Sequence, residues 1–306
     1  MNPMNPSPPA VEIKNLHYSY DGAEAIQGVN LTVAAGSCHA LFGRNGAGKT
    51  TTMKCLLNLL RPQAGSVRIF GLDPATQEIE VKRRIAYVPD SPEFYPWMTV
   101  RETLDYLASF REGWNEGKEK DLLDRFRLKA SQKVPGLSKG QRTQLALIGA
   151  LCAEPELLIL DEPTSGLDPI VRREFIETVI GAYQDGDPGN RTILVSTHLI
   201  SEFEGLIDEF TLIDTSKDVL HMRADDARDY YRRIRARFDQ PADQIRLPAG
   251  VRIRIQGRDL ELIVNGNRED AMELIRSQHP VSLECEGLSL EEIFMHVAEP
   301  ERDSKS

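Results

Sequence analysis

Long apolar runs are missing from this 306-residue sequence. The longest, Leu145–Ala153, falls far short of the ~20 residues that a membrane-spanning helix needs. Any work at a membrane would need another chain to do the spanning. Cysteine is scarce: Cys38, Cys55, Cys152 and Cys285, with no C-x-x-C pair. Each lies in an apolar stretch, which predicts free, buried thiols in a reducing compartment. Cys38-His39 could suggest a metal, but no second ligand pair lies near it, and a core strand is the expectation there. Positive charge is in deficit, with 37 Lys and Arg against 47 Asp and Glu and a net charge of −10. That balance argues against a nucleic-acid partner, because phosphate contacts need clustered cations. The opening MNPMNPSPPA has neither the basic nor the apolar region of a signal peptide, and residues 1–10 read as a flexible tail. Internal repeats are also absent.

Enough apolar residues are present, at 41%, to form a proper core, and the length suits one large domain or two ordinary ones. Val11–Tyr18 alternates as a strand, Asn30–Val33 reads as a second, and Cys38–Phe42 runs into a glycine-rich turn followed by a helix from Lys49 to about Leu60. SVRIFG and RIAYVP read as strands. From about Asp90 to Cys152 the pattern is helical, as if a helical insertion sat beside a sheet. LLILDEP, TILVSTH and FTLIDT are buried strands, with a helix over PIVRREFIETVIGAY between the first two. Strands alternating with helices predict an α/β fold with a mostly parallel sheet. After about Ser216 the character changes. RADDARDYYRRIRARF reads as an Arg-rich helix, VRIRIQ and LELIVNG as strands, and REDAMELIRSQ as a helix, so residues 216–306 suggest a small α+β appendage. The Arg run is read first as a solvated face, with an anionic partner or lipid as the alternative.

GRNGAGKTT fits G-x-x-x-x-G-K-[ST] and lies between a strand and a helix, the context that motif requires. Gly43, Arg44, Asn45, Gly46, Ala47, Gly48, Lys49, Thr50 and Thr51 would wrap nucleotide phosphates. Lys49 would reach the β- and γ-phosphates, and the Thr50 hydroxyl a Mg²⁺ ion. LLILDEP ends its strand in two acids. Asp161 suits the Mg²⁺ side, and Glu162 can deprotonate an attacking water. His198, at the end of TILVSTH, would come to the same carboxyl edge of the sheet as the phosphate loop and touch the γ-phosphate. A second anion-ready turn is LSKGQ, residues 137–141. Ser138 is a good N-cap there, and Gly140 allows close backbone approach.

These motifs, with SGLD at 165–168, come in the order and approximate spacing of an ABC-type ATPase, which the chain resembles over about residues 11–214. The resemblance implies a P-loop NTPase core of the ABC ATPase type over residues 11–215. That core carries an antiparallel β subdomain and a helical subdomain over about residues 92–152, and residues 216–306 form the C-terminal accessory domain. ATP and Mg²⁺ are the implied cofactors. Two such domains pack head to tail, as a homodimer or heterodimer. Ser138, Gly140 and Gln141 of one then contact the γ-phosphate of the other's ATP, which accounts for two anion sites in one chain. Asp168 is the acid of the loop that crosses between the sites, and Tyr20, ahead of Tyr18, falls where an aromatic stacks on adenine. Two positions depart from the family pattern. Lys139 stands where the signature usually has Gly, and Asp90 where the loop after the strand usually has a Gln that meets Mg²⁺ and water. Asp90 still has a carboxylate for the metal but no amide hydrogen to donate. The resemblance further implies an export ATPase of the antibiotic- and drug-efflux kind. LSLEEIFMHV and HLISEFEGLIDEFTLID are most like the bacterial group named after the Ytr transporter. The permease would be a separate integral-membrane chain, with this one on the cytoplasmic face of the cell membrane. Translation-type relatives carry two cassettes in a chain, and DNA-repair relatives split theirs with a coiled coil. This sequence has neither feature. A regulatory ATPase that senses a membrane partner is the other reading.

Overall fold

The computed structural model describes residues 8–184, 191–241 and 252–298. They fall into two compact units, Met1–His221 and Met222–Ser306. In the first, a hairpin of β1 (Val11–Tyr20) and β2 (Ala23–Val33) leads to β3 (Cys38–Gly43) and α1 (Lys49–Leu56). Then come β4 (Ala64–Ile69), α2 (Glu78–Arg84), β5 (Ile85–Val88), α3 (Val100–Ala108), α4 (Glu116–Arg125) and α5 (Lys139–Cys152). β6 (Leu157–Asp161), α6 (Pro169–Gln184), β7 (Thr192–Thr197), α7 (Ile200–Phe203), β8 (Glu209–Asp214) and β9 (Lys217–Arg223) complete the series.

The main sheet has the order β5-β6-β7-β3-β8-β9. The β5–β6, β6–β7, β7–β3 and β3–β8 ladders are parallel. Every residue of β3, β6 and β7 is buried, as a sheet covered on both faces demands. Parallel neighbours bring their carboxyl ends to one edge. Asp161 pairs with Ser196, and Phe42 with Thr197, so the phosphate loop, the two acids and His198 emerge side by side. His39 is fully buried in β3, its Nε2 3.0 Å from Thr211 Oγ1. Cys38-His39 is thus part of a core strand, and no metal-holding group of three or more His, Cys, Asp or Glu occurs among the described residues.

A second sheet, β2-β1-β4, is antiparallel. Its Ile13, Leu16, Ile26 and Leu31 share one core with Met53 and Leu56 of α1 and with Leu41, Ile159 and Leu194 of the main sheet. Each such side chain contributes ~1.5–3 kcal/mol on burial, so this sheet is fastened to the helix that follows the phosphate loop. α1 stops at Leu56, short of the expected Leu60, because the chain turns through Asn58 at φ +56°. α3 begins on a capping box between Thr99 and Glu102, and α5 packs against α3, α4, α6 and β5. No helix among the described residues is long and apolar enough to cross a membrane.

The second unit contains α8 (Ala224–Tyr230), β10 (Tyr231–Arg237), β11 (Arg252–Gln256), β12 (Asp259–Asn265), α9 (Arg268–Arg276), β13 (Ser282–Gly287) and α10 (Leu290–Ala298). Its antiparallel sheet runs β11-β12-β10-β13. RADDARDYYRRIRARF is therefore not one helix. Only its first half is helical. From Tyr231 the period is two, with Ile234 and Ala236 buried under α9 and Arg233, Arg235 and Arg237 on the other face. That face is already neutralised. Arg235 pairs with Glu261 and Glu286 at 3.0 and 2.9 Å, Arg233 with Glu292 at 2.8 Å, and Arg237 with Asp259 at 3.7 Å. A solvated, self-paired surface fits these arginines better than an anion-binding one.

Candidate functional site

Two glycines fix the phosphate loop by sterics. A Cβ on Gly43 would stand 2.6 Å from the carbonyl oxygen of Ile213, and one on Gly48 2.6 Å from that of Ala25. Gly48 also holds φ +104°, a region closed to side chains. The loop then delivers Lys49 and Thr50 as the first residues of α1. Lys49 is buried, its Nζ donating to the carbonyls of Gly43 at 2.7 Å and Arg44 at 3.3 Å. The same ammonium lies 2.9 Å from Glu162 Oε1. An incoming triphosphate thus competes with Glu162 for this cation.

Thr50 Oγ1 donates to Asp161 Oδ1 at 3.3 Å, and the Tyr87 hydroxyl sits 3.5 Å from Asp161 Oδ2. Burial pushes the Asp161 carboxyl above its usual range, although the Thr50 bond and nearby Lys49 pull the other way. Burial, then the negative charge of Asp161, push the Tyr87 hydroxyl well up, with Asp90 adding to the effect. A hydroxyl beside a carboxylate is the hard-oxygen donor pair that Mg²⁺ takes, usually with waters and substrate phosphate completing its shell, so these residues fit that ion. Glu162 follows Asp161 at φ +46°, strained for a residue with a side chain. Its amide N–H bonds the Ser196 carbonyl at 2.8 Å. Its Oε2 lies 2.7 Å from His198 Nδ1 and accepts from the His198 amide at 3.3 Å. Strain at Glu162 thus buys a carboxylate held between a lysine and a histidine.

Ser138, Gly140 and Gln141 form a second group at the start of α5. Ser138 and Gln141 close a capping box: Ser138 Oγ accepts from the Gln141 amide at 3.2 Å, and Gln141 Oε1 accepts from the Ser138 amide at 3.0 Å. The Ser138 hydroxyl hydrogen and the Gln141 amide group remain as donors. A Cβ on Gly140 would press against Val171 at 3.0 Å. Asp168 caps α6, accepting from the amides of Ile170 and Val171, both at 3.1 Å. Asp90 is turned toward Lys139, with Oδ1 3.4 Å from Lys139 Nζ, and Ser91 Oγ donates to its other oxygen at 3.3 Å. Tyr20 is 42% exposed at the end of β1, in the hairpin whose Ala25 touches Gly48. Tyr18 is partly buried against the core, its ring edge-on to that of Tyr20 with centroids 4.8 Å apart, so Tyr20 is the more open of the two. Sequence reasoning passed over Tyr87. Its signal is a lone hydroxyl in the buried strand beside the one that ends in acids.

The family described as ABC transporter matches residues 26–165. The bacitracin transport ATP-binding protein BcrA of Bacillus licheniformis is 34% identical over 209 residues, covering 68% of this chain and 67% of that protein. A solved structure described as an ATP binding subunit of an ABC transporter is 31% identical with a TM-score of 0.64, over 72% of this chain and 92% of that one. The chain belongs to the ABC transporter family. It is an ATP-binding, ATP-hydrolysing transporter subunit. The ABC transporter ATP-binding protein YtrB of Bacillus subtilis is also similar, at 26% identity over 229 residues, 75% of this chain and 77% of that one. The family match runs from β2 to just past Glu162, and so takes in the phosphate loop, the LSKGQ turn and both acids of this ABC ATPase.

Proposed function

We propose that this ABC ATPase works as a head-to-tail dimer in which each ATP is held between the phosphate loop of one chain and the LSKGQ turn of the other. The observation that carries this is the presence of two anion-ready groups built from different parts of one chain. Lys49, Thr50, Asp161, Glu162 and His198 are tied together by short contacts. Ser138 and Gln141 bond one another at the head of another helix, with donors to spare. The loop amides and Lys49 bind the β- and γ-phosphates, and Tyr20 stacks on the base. Thr50 and Asp161 would hold Mg²⁺, which would neutralise phosphate charge when bound. Glu162 takes a proton from the attacking water, and His198 positions it through Nδ1. Asp168, while capping α6, places the loop between the two sites.

The same unit presents a face for a membrane partner. A groove of about 700 Å³ is lined by Leu57, Ile79, Val81, Ile85, Leu107 and Phe110 among others. Beside it runs an exposed aromatic ladder, Trp97–Tyr95–Tyr106–Phe110, with Phe110 67% and Trp97 65% exposed. Exposed apolar surface of this kind marks an interaction site. We assign it to a segment of a separate permease, which would hold the chain at the cytoplasmic face of the membrane. Similarity to a bacitracin transport protein favours export of an antibiotic-like cargo. Residues 216–306 would then be an accessory domain to an ATPase domain of residues 11–215.

Ser138→Arg tests the composite site. It puts bulk and charge where the partner's phosphate must dock. ATP affinity of the isolated chain should change less than about twofold, while hydrolysis falls ~10²-fold or more. Normal hydrolysis, linear in enzyme at low concentration, would show that the site lies within one chain.

A further inference from the structure

The two positions that depart from the family pattern meet in the folded chain. Lys139 and Asp90 are 49 residues apart in sequence, and their charged atoms are 3.4 Å apart. The lysine side chain also lies along Gly166, where a Cβ would stand 3.4 Å from Nζ. It thus bridges the loop after β5 and the loop before α6. Asp90 in turn contributes to raising the Tyr87 hydroxyl, which stands beside Asp161. On the Asp90 side lies β5, whose last residue Val88 pairs with Leu160, the neighbour of Asp161; Lys139 is the first residue of α5, next to Ser138 and Gly140.

Fold stability does not account for the pair. Both side chains are nearly half exposed, at 43% and 45%, and pairs so exposed contribute little. A cation at the first position of a helix also opposes the helix dipole. What Lys139 does supply is a half-exposed ammonium at the turn where a phosphate would dock, held by one 3.4 Å contact.

We propose that Lys139 is a further phosphate-binding residue, exchanging Asp90 of its own chain for the terminal phosphate of the partner's ATP. The proposal rests on the reading of Ser138–Gln141 as the docking turn. The ammonium only changes its anion. A phosphate carries more charge than one carboxylate and outcompetes it. Once released, Asp90 is free to turn toward the metal side of its own site. Arrival of ATP on one chain then changes the charge around the nucleotide of the other, through a single ion pair.

The test uses the full-length chain with Glu162→Gln, which slows turnover so that the ATP-bound dimer can be counted by sedimentation. Lys139→Met should raise the ATP concentration needed for half dimerisation about tenfold, and Lys139→Arg should hold it within about twofold. Binding of a fluorescent ATP analogue to the dilute, monomeric chain gives a second readout. Lys139→Met should lower the Mg²⁺ concentration for half saturation, because Asp90 is no longer engaged, and Asp90→Asn should raise it. In the Asp90→Asn background Lys139→Met should have no further effect on Mg²⁺. Dimerisation by Lys139→Met equal to that with Lys139 overturns the proposal, as does a Mg²⁺ shift of equal size with Asp or Asn at position 90. Ser138→Arg is the control. If it blocks dimerisation while Lys139→Met does not, the exchange alone fails. If Ser138→Arg also dimerises normally, the docking-turn reading has failed with it.

Discussion

Replacing Glu162 by Gln separates catalysis from binding, because the carboxylate does two things. It is the base we propose for the attacking water, and it neutralises Lys49, whose side chain is only 5% exposed. Removing one partner of a buried pair costs ~3–5 kcal/mol. Lys49 keeps the carbonyls of Gly43 and Arg44, so the cost here should be lower, about 2 kcal/mol on the same scale. For a domain of this size that lowers the melting temperature by ~4–8 °C. A triphosphate gives Lys49 its counter-charge back, so saturating ATP with magnesium should close the gap. ATP should also bind about thirtyfold more tightly to the variant, since it no longer has to displace a carboxylate. Turnover should fall ~10²–10⁴-fold, the usual worth of a general base. The assays are thermal melting with and without ATP, equilibrium nucleotide binding and phosphate release. Equal melting temperatures without ATP would refute the role of the Lys49–Glu162 pair. Turnover near that of the parent chain would refute the role of Glu162 as base.

Asp161→Asn tests the metal side and carries a pH signature. Burial holds this carboxyl above its usual range, so the folded chain binds the proton more readily than the unfolded chain. Its contribution to stability therefore declines as pH rises from the ordinary Asp value through the raised one. At neutral pH in chelator, Asp161→Asn should melt no lower than the parent. Magnesium should then add nothing to the stabilisation given by ATP, and a variant that still responds to magnesium contradicts the assignment. Phe110→Ser, at a surface position expected to shift stability by less than about 0.5 kcal/mol, should leave ATP hydrolysis by the free subunit unchanged. It should reduce co-purification with a co-expressed permease partner, and undiminished co-purification would argue that the groove is not the docking face.

Most of the site was legible because its residues stand at strand ends. GRNGAGKTT, LLILDEP and TILVSTH each place chemistry just after a buried apolar run, and parallel pairing brings those ends together. The hairpin of β8 and β9 was missed. Its two-residue turn is Thr215-Ser216, both at positive φ, without the Asn or Gly that announces such a turn. RADDARDYYRRIRARF misled because its first half has helix chemistry, and the switch to period two begins inside a run of charged residues. Tyr18 and Tyr20 share a strand face, and only the packing of β1 onto the core shows that Tyr18 is the one partly covered. The Asp90–Lys139 contact depends on how α5 packs beside β5. Each departure was visible alone, but their meeting is a property of the fold.

The central claim, an ATP site shared between two chains, is tested most directly by mixing two inactive variants. Lys49→Ala lacks a working phosphate loop, and Ser138→Arg lacks a working docking turn, so a dimer of either alone has no complete site. In a mixed dimer, one site joins the intact loop of Ser138→Arg to the intact turn of Lys49→Ala. In an interface where each chain contacts its partner reciprocally, equal mixing should restore ATP hydrolysis to up to about a quarter of the parent rate. A mixture no more active than its separate components would contradict the account.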